Sequence, residues 1–389
     1  VSLTSWPDVT QVQTTGRNGV ATFSGLVGAH FFRPRVRRTS SALGGRHYTG
    51  KVEVQVVKTD EGGICLTDLI VDSGGSGTHT LLFGATGALE AAIATGLPRS
   101  IWVCTSHVET LAASHTLSAL SGNADIVVMS AGGGRRPTIT FSGAGAMIIQ
   151  GGATGSANAV LKFEGIAFER STTTGAFYEA SGGRFTPNLD YVDVSWRATG
   201  AGAWTDLHNF TPAGGANVRD IRWDRCLTLG TITSLINITA TSGDRDAWTI
   251  KDSVFGTLSY IVQGGAPAGG DPIVIEGNFF LNVTVSGISS DYIGGTNGPF
   301  FLMGNFVSAF SANTNFIALG GAGTNNPADA FVNDNYIFCS NAGGSATAVR
   351  VTGGAGTARN ISICGNTLRG PGNSVAVRLD IANADCLVM

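Results

Sequence analysis

Apolar and polar residues alternate in short segments that recur through the last 230 residues of the chain. Each segment reads as a strand, then a Gly or Asp that we call the turn position, then a second apolar stretch, as in PIVIEGNFFL at 272–281. The turn positions are Gly165, Asp193, Asp220, Asp252, Gly277, Gly304, Asp334 and Gly365. The intervals between them are 28, 27, 32, 25, 27, 30 and 31 residues. A near-constant period in this range predicts a stacked repeat with one supersecondary unit per turn.

The composition of each unit indicates which kind of repeat it is. Apolar residues stand two and four positions before the turn position, which predicts a strand with one face in a core. Three positions after it, aromatic residues give way to aliphatic ones along the chain. Strands in register would stack these side chains about 4.8 Å apart. We therefore predict a parallel β-helix whose internal aromatic ladder includes Trp196, Trp223, Phe255 and Phe280.

The residue directly after the turn position also changes along the chain. It is apolar at Ile166, Val194 and Ile221, serine at Ser253, and asparagine in the last four units. These asparagines are Asn278, Asn305, Asn335 and Asn366. Identical amides at one structural position can bond to the units above and below them while they satisfy a turn. We predict that the four side chains form an amide ladder.

The repeat is missing from the first part of the chain. Residues 1–83 are predicted to be a separate β segment for docking or oligomerisation, and residues 84–389 a capping helix followed by the β-helix. The helix is predicted over 84–97, with Thr86 as its N-cap and Gly96 at its end. Its predicted apolar face consists of Leu89, Ala92, Ile93 and Leu97. We expect it to cover the N-terminal end of the solenoid.

A basic run, FFRPRVRR, lies within the non-repeat segment. Its arginines are Arg33, Arg35, Arg37 and Arg38. One interpretation is a solvated edge strand that its charges protect from unwanted pairing. The other is an arm that docks on an acidic partner surface, such as a shell or tail protein.

The overall composition excludes several classes of function. A net charge of −3 gives no basic field for nucleic acid. The six cysteines lack metal spacing and are predicted to be buried free thiols, so no cofactor is expected. The chain contains no stretch of about 18 apolar residues, so the sequence does not predict insertion into a membrane. Nothing resembles a signal peptide, and we expect a product that is made in the cytoplasm and not exported by a cleaved signal.

Glycan hydrolysis needs two carboxylates about 5–9.5 Å apart. The candidates are Asp193, Asp220 and Asp252, which the period assigns to the turn position of three successive coils. Glycine occupies the same position at Gly165 and Gly277, and both Asp and Gly tolerate a tight turn. Two interpretations therefore remain open: the three aspartates form a carboxylate stack, or they are turn residues.

The phrases IEGNFF, VNDNYIF and ICGNTLRG resemble coils of the pectin-lyase-like right-handed parallel β-helix superfamily. The resemblance covers roughly residues 80–389 and involves core and turn positions. It implies an all-β, single-stranded, right-handed solenoid of about 28 residues per coil. The superfamily includes polysaccharide lyases, glycoside hydrolases and phage tailspikes. The paired-Asp and Arg motifs of pectate lyases have no counterpart that can be placed in this chain.

The resemblance is closest in character to phage tailspikes and other virion-associated β-helix proteins. It implies a structural component of a bacteriophage virion, tailspike-like or decorating the capsid, that forms a homotrimer. Expected partners are other capsid or tail proteins and a host surface polysaccharide. The alternative is a depolymerase, a lyase or hydrolase of bacterial surface glycans, acting in secreted form or on a tailspike.

Overall fold

A computed structural model describes residues 69–389 except 76, 121–123, 132–135, 152–158, 182–185, 212–218, 239–246, 265–270, 289–298, 313, 320–327, 342–345, 353–357, 372–373 and 381–383. The arginines of the basic run, Arg33, Arg35, Arg37 and Arg38, lie outside the described residues, so their role stays a prediction.

The described residues contain one helix, α1 (Ala88–Thr95), and thirty-one strands. The strands are β1 (Leu69–Val71), β2 (Arg99–Val103), β3 (Val108–Leu111), β4 (His115–Leu117), β5 (Asp125–Ser130), β6 (Thr138–Phe141), β7 (Ile148–Gln150), β8 (Val160–Glu164), β9 (Ala167–Arg170), β10 (Thr174–Gly175), β11 (Tyr178–Ser181), β12 (Asn188–Val192), β13 (Ser195–Ala198), β14 (Ala203–Thr211), β15 (Ile221–Asp224), β16 (Leu227–Leu229), β17 (Thr231–Ile238), β18 (Trp248–Lys251), β19 (Val254–Gly264), β20 (Ile273–Glu276), β21 (Phe279–Ile288), β22 (Phe300–Met303), β23 (Phe306–Phe310), β24 (Asn315–Leu319), β25 (Ala328–Asn333), β26 (Tyr336–Cys339), β27 (Thr347–Thr352), β28 (Ala358–Cys364), β29 (Thr367–Arg369), β30 (Val375–Asp380) and β31 (Ala384–Val388).

The strands form two sheets in which every described pairing between strands is parallel. The first sheet has twelve strands, and each coil contributes one of them, in the order β1, β2, β5, β8, β12, β15, β18, β20, β22, β25, β28 and β31. Inward residues of successive strands are in register, as in the pairings of Tyr191 with Trp223 and of Ile250 with Ile275. These side chains are buried. The predicted all-β parallel solenoid is confirmed.

The second sheet has nineteen strands and covers the other sides of each coil. Its early coils carry two or three strands each, for example β13 and β14 in one coil and β9, β10 and β11 in the coil before it. The long strand β19 pairs with both β16 and β17, so the two columns of short strands join there. They separate again after β21, which pairs with both β23 and β24. Counting both sheets, the described coils from β2 to β30 therefore have two strands where the columns merge, three in most coils, and four in the coil of β8 to β11.

The structure corrects the predicted register of one coil. The turn position between β15 and β16 is Arg225, with φ 52°, whereas Asp220 precedes β15. An Asp224 carboxylate oxygen lies 2.8 Å from the Arg225 guanidinium. The amide N–H groups of Asp193 and Arg225 donate to the next coil as those of the other turn positions do. The sequence favoured Asp220 because, apart from glycine, mainly Asn, Asp and His adopt this left-handed conformation, and Arg seldom does.

This correction moves Trp223 to another column. The structure pairs Trp196 with Phe168 and with Thr228, so Thr228 fills the place assigned to Trp223 in the ladder. Trp223 is fully buried in the first sheet. Phe255 and Phe280 pair in register, and their rings stack 5.2 Å apart between centroids. The aromatic interior is thus built from two columns rather than one.

The four asparagines are stacked in consecutive coils. The Nδ2 atom of Asn278 donates to Oδ1 of Asn305 at 3.0 Å, and Asn305 donates in the same way to Asn335 at 2.9 Å. Asn335 donates to Asn366 at 3.0 Å. Each amide oxygen also accepts the backbone N–H of the preceding asparagine. Cys226 replaces Ile221 as the apolar residue at this position in its coil, because Arg225 is the turn residue.

The helix is shorter than predicted. It begins after Gly87, which acts as N-cap without a side-chain bond, so Thr86 is not the cap. Leu97 is 57% exposed and does not belong to the buried face. Within the described residues, β1 is the first strand of the solenoid sheet and pairs with β2, so this sheet already includes residues 69–71.

Candidate functional site

A row of aromatic rings lies on the outside of the second sheet, in the C-terminal coils. Phe279 and Phe306 occupy equivalent positions, with centroids 5.3 Å apart and planes 5° apart. Tyr336 continues the row, 4.5 Å from Phe306 and again at 5°. These residues directly follow Asn278, Asn305 and Asn335, whose side chains point into the core. Alternation along a strand places the rings on the outer face.

Further exposed apolar residues extend this row. Val254 precedes Phe279 in register and is 45% exposed. Leu281 and Phe338 stand two residues after members of the row and are 52% and 37% exposed. We call the whole set the outer apolar strip. It consists of Val254, Phe279, Leu281, Phe306, Tyr336 and Phe338.

Within the strip, the faces of the rings pack against neighbouring members of the strip. Parallel stacking at 4.5 and 5.3 Å leaves no room between neighbouring rings. At one end of the row Val254 lies beside Phe279, and at the other the Arg369 guanidinium carbon lies 6.0 Å from the Tyr336 centroid. The rings therefore present their edges to solvent. Such a surface suits packing against apolar side chains better than stacking on a sugar ring.

The three candidate aspartates do not form one stack. Asp193 and Asp252 are turn positions, with φ of 54° and 49°, but the coil of Arg225 lies between them. Asp220 is five residues away from that turn, and its Oδ1 accepts the backbone N–H of Ala247 at 2.9 Å. Of the two interpretations that the sequence left open, a stack of all three carboxylates does not form, because Arg225 rather than Asp220 occupies the turn position of its coil.

Asp193 and Asp252 each make contacts typical of turn residues. The carboxylate of Asp193 pairs with Arg136 from an earlier coil. Oδ1 of Asp252 lies only 2.7 Å from the point where a Cβ on Gly277 would stand. The Asp252 carboxylate therefore lies over the next turn, where a Cβ on Gly277 would require it to move.

An open cleft of about 610 Å³ lies beside the capping helix. Its lining includes Glu90, Glu109 and His115. Nε2 of His115 lies 3.0 Å from Oε1 of Glu90, while Nδ1 accepts the backbone N–H of Gly84 at 3.2 Å. Because Nδ1 is an acceptor, Nε2 carries the proton and donates a hydrogen bond to Glu90. The sequence contained both residues, but nothing in their spacing showed that the helix brings them together.

A second histidine and carboxylate repeat this arrangement more deeply. His107 is fully buried, and its Nδ1 accepts the backbone N–H of Ser73 at 3.1 Å. Its Nε2 lies 3.1 Å from Oε2 of Glu109. The Glu109 oxygens also accept the N–H groups of Leu82 and Phe83, at 2.7 and 3.0 Å. Both pairs thus tie the segment that leads into the helix to the first coils.

The chemistry of this cleft is limited by these bonds. Burial alone would raise the pKa of Glu90, but hydrogen bonds from His115 and Ser118 outweigh it and hold the pKa below its usual value. A general acid at neutral pH needs the opposite shift. Neither imidazole has a free nitrogen to act as a base. The arrangement fits a structural tie for the cap.

Burial raises the pKa of two other described carboxyls, Asp190 and Asp206. Asp190 lies in the first sheet and Asp206 in the second, and neither lines the cleft at the helix. Asp206 accepts a hydrogen bond from the Ser234 hydroxyl. Among the described residues, no three His, Cys, Asp or Glu side chains converge as metal ligands.

Comparison of the chain with protein-family models, curated proteins and solved structures finds no match. The functional argument therefore rests on the geometry of the coils. No helix within the described ranges is long and apolar enough to span a membrane, since α1 has eight residues. The outer apolar strip is a surface feature of the described coils that the solenoid's own packing leaves unexplained.

Proposed function

We propose that this protein is a structural, non-enzymatic component of a bacteriophage virion, either tailspike-like or decorating the capsid. Its role is attachment or surface decoration, and its fold is of the pectin-lyase-like, right-handed type. The bacteriophage assignment rests on the resemblance of its coils to tailspikes. Other capsid or tail proteins are the partners that we expect, together with a host surface polysaccharide that is bound rather than cleaved.

One observation carries the structural role. The coils are held by stacked internal ladders, and their outer surface carries the neighbouring exposed apolar side chains of the outer apolar strip. A contiguous exposed apolar patch marks a contact with another macromolecule. The carboxylates of Asp252, Glu169 and Glu109 serve as a turn residue, an ion-pair partner and a backbone acceptor, respectively. A rigid rod with a lateral contact surface suits an assembled particle, in which we place it as a homotrimer.

Electron microscopy of the native particle, or of the purified chain, tests this function. Three-fold rods seated on a capsid or tail are the expected result. The same preparation should leave purified bacterial surface polysaccharide at its starting length. A free particle that shortens the polysaccharide would overturn the proposal.

The depolymerase is the second candidate, and the cleft beside the helix is the observation that favours it. Glu90 and Glu109 both line that cleft. If the protein cleaves glycans there, Glu90→Gln should abolish cleavage while the protein stays folded. Glu164→Gln is the matched control, because this side chain is 42% exposed and lies outside the cleft. Equal cleavage by both variants would exclude the cleft as the catalytic site.

A further inference from the structure

We propose that the outer apolar strip is the contact between copies of this chain, with the strips of three parallel solenoids meeting at a common axis. The inference rests on the proposed homotrimer and names the surface that forms it. The strip is narrow, one to two outward positions wide, and runs along the coils. A narrow line of side chains is what each subunit presents to a three-fold axis.

The amount of exposed apolar surface supports an interface. Val254, Phe279, Leu281, Phe306 and Phe338 are between 37% and 52% exposed. With roughly 200 Å² per large apolar side chain, this leaves on the order of 400 Å² uncovered. That value lies within the range of about 300–600 Å² for the largest patch on a monomer, which is often functional. A standard interface buries about 800 Å² per partner, so the strip with its polar margins provides a core of suitable size.

The repeat of the strip favours a second copy as the occupant. Its groups recur once per coil, about 4.8 Å apart. A partner that covers the row continuously must offer apolar groups with the same spacing. A parallel copy in register provides this without any adjustment, since Phe306 then meets Phe306 and Phe279 meets Phe279. Edge-on rings from each copy can interlock at the axis.

The charges near the strip also favour identical copies. Parallel packing about an axis brings each residue close to its own equivalents, so a charged row would repel itself. The strip itself carries no charge. The nearest cation, Arg369, lies at one end over Tyr336, and Lys251 and Glu276 at the margin are paired at 2.7 Å. By contrast, the equivalent face of the early coils carries the ion pair of Arg197 and Glu169.

The test is light scattering of the full chain and of the double variant Phe279→Thr, Phe306→Thr. Threonine keeps strand propensity and removes both rings. We expect a trimeric parent and a variant that dissociates at protein concentrations at least about tenfold higher, which for a trimer that separates into three monomers is about a hundredfold in the dissociation constant, or about 2.8 kcal/mol per trimer. Val108→Thr is the matched control, because Val108 is 56% exposed at the other end of the second sheet. It should remain trimeric.

A cross-linking variant tests the register independently of the aromatic residues. Ser308 lies two residues after Phe306 and is partly exposed, so Ser308→Cys should form a disulfide between copies under mild oxidation. The parent, oxidised in parallel, controls for its own cysteines. A trimer that survives the double variant and gives no Ser308→Cys cross-link would overturn the strip but leave the proposed function standing. A monomeric parent would overturn both the strip and the homotrimer.

Discussion

The late coils carry a row of aromatic rings on the outer face in addition to buried rings such as Phe280 and Phe310, whereas the equivalent outer positions of the early coils hold Ala167, Ser195 and Leu227. In the early coils, Tyr191, Trp196 and Trp223 are buried together, and the outside carries charges such as the pair of Arg197 and Glu169. In the late coils the core position after the turn holds asparagine, and the next residue is an exposed ring. The alternating pattern is the same in both halves. It fixes the coil but not the side on which the aromatic residues lie.

The early and late coils are stabilised in different ways. Aromatic burial dominates in the early coils, where Trp196, Trp204, Trp223 and Trp248 are all buried. At the position that Ile166, Val194 and Cys226 occupy in the early coils, the late coils hold an amide ladder whose donors and acceptors satisfy one another. Rings on the outside then add little to folding and are available for a partner.

Arg170 shows how far the early core depends on specific packing. Its side chain is fully buried, and its guanidinium donates to the carbonyls of Thr173 and Gly145, both at 2.7 Å. The rings of Phe141 and Trp204 lie 4.9 and 5.2 Å from its central carbon. Burial lowers the pKa of Arg170 to about 10, so the group stays charged at neutral pH. Nothing in the sequence distinguished this arginine from those on the surface.

Removing an inward ring should have the largest effect. Trp223→Ala deletes a fully buried side chain and should lower the free energy of unfolding by ~3–5 kcal/mol. Phe306→Ala, an aromatic of the late coils that is 41% exposed, should cost about 1 kcal/mol in the monomer. Denaturant unfolding of both variants measures the difference. Similar losses would show that the outer rings of the late coils stabilise the fold as strongly as the buried rings do.

Acid should weaken the early coils through His208, which is completely buried. Burial lowers the pKa of His208 to about 3, whereas a histidine in the unfolded chain titrates near ~6.5. Between these values the unfolded chain binds one more proton, so stability present above pH ~6.5 is lost as the pH falls, by about 1.4 kcal/mol per unit. His208→Phe, placed among the rings of Tyr178, Phe210 and Trp223, should reduce this slope. Urea unfolding at pH 7, 6 and 5 measures it, and equal slopes would contradict the assignment.

The residue after the turn position can be exchanged between the halves. Asn305→Val leaves the buried amide of Asn278 without its acceptor and should cost about 2–3 kcal/mol. Val194→Asn places an amide between Ile166 and Cys226, which offer it no ladder, and should cost about 1–3 kcal/mol. Thermal unfolding compares both variants with the parent. A neutral Val194→Asn would show that the early coils accept the ladder as well.

The sequence was sufficient for the coil but not for every register or contact. The period and the alternation need only apolar and polar positions, and they predicted the parallel solenoid and the stacked asparagines. The assignment of Asp220 to the turn position was wrong because Arg225 takes a backbone conformation that its residue type seldom adopts. The outer apolar strip did leave a signal, since Phe279 and Phe280 are adjacent and a strand must turn one of them outward.

The smallest predicted effect is the difference in stability between alanine substitutions of two glycines that occupy the turn position of neighbouring coils. Gly277 and Gly304 have φ of 67° and 62°, so Ala at either one incurs the left-handed strain of roughly 1–2 kcal/mol. A Cβ at Gly277 would also stand 2.7 Å from Oδ1 of Asp252, whereas a Cβ at Gly304 meets nothing within 4 Å. Gly277→Ala should therefore cost more than Gly304→Ala, and Asp252→Ala should remove the excess in a double-mutant cycle. Equal costs, or an excess that Asp252→Ala leaves unchanged, would show that the Asp side chain moves aside and does not reserve the turn for glycine.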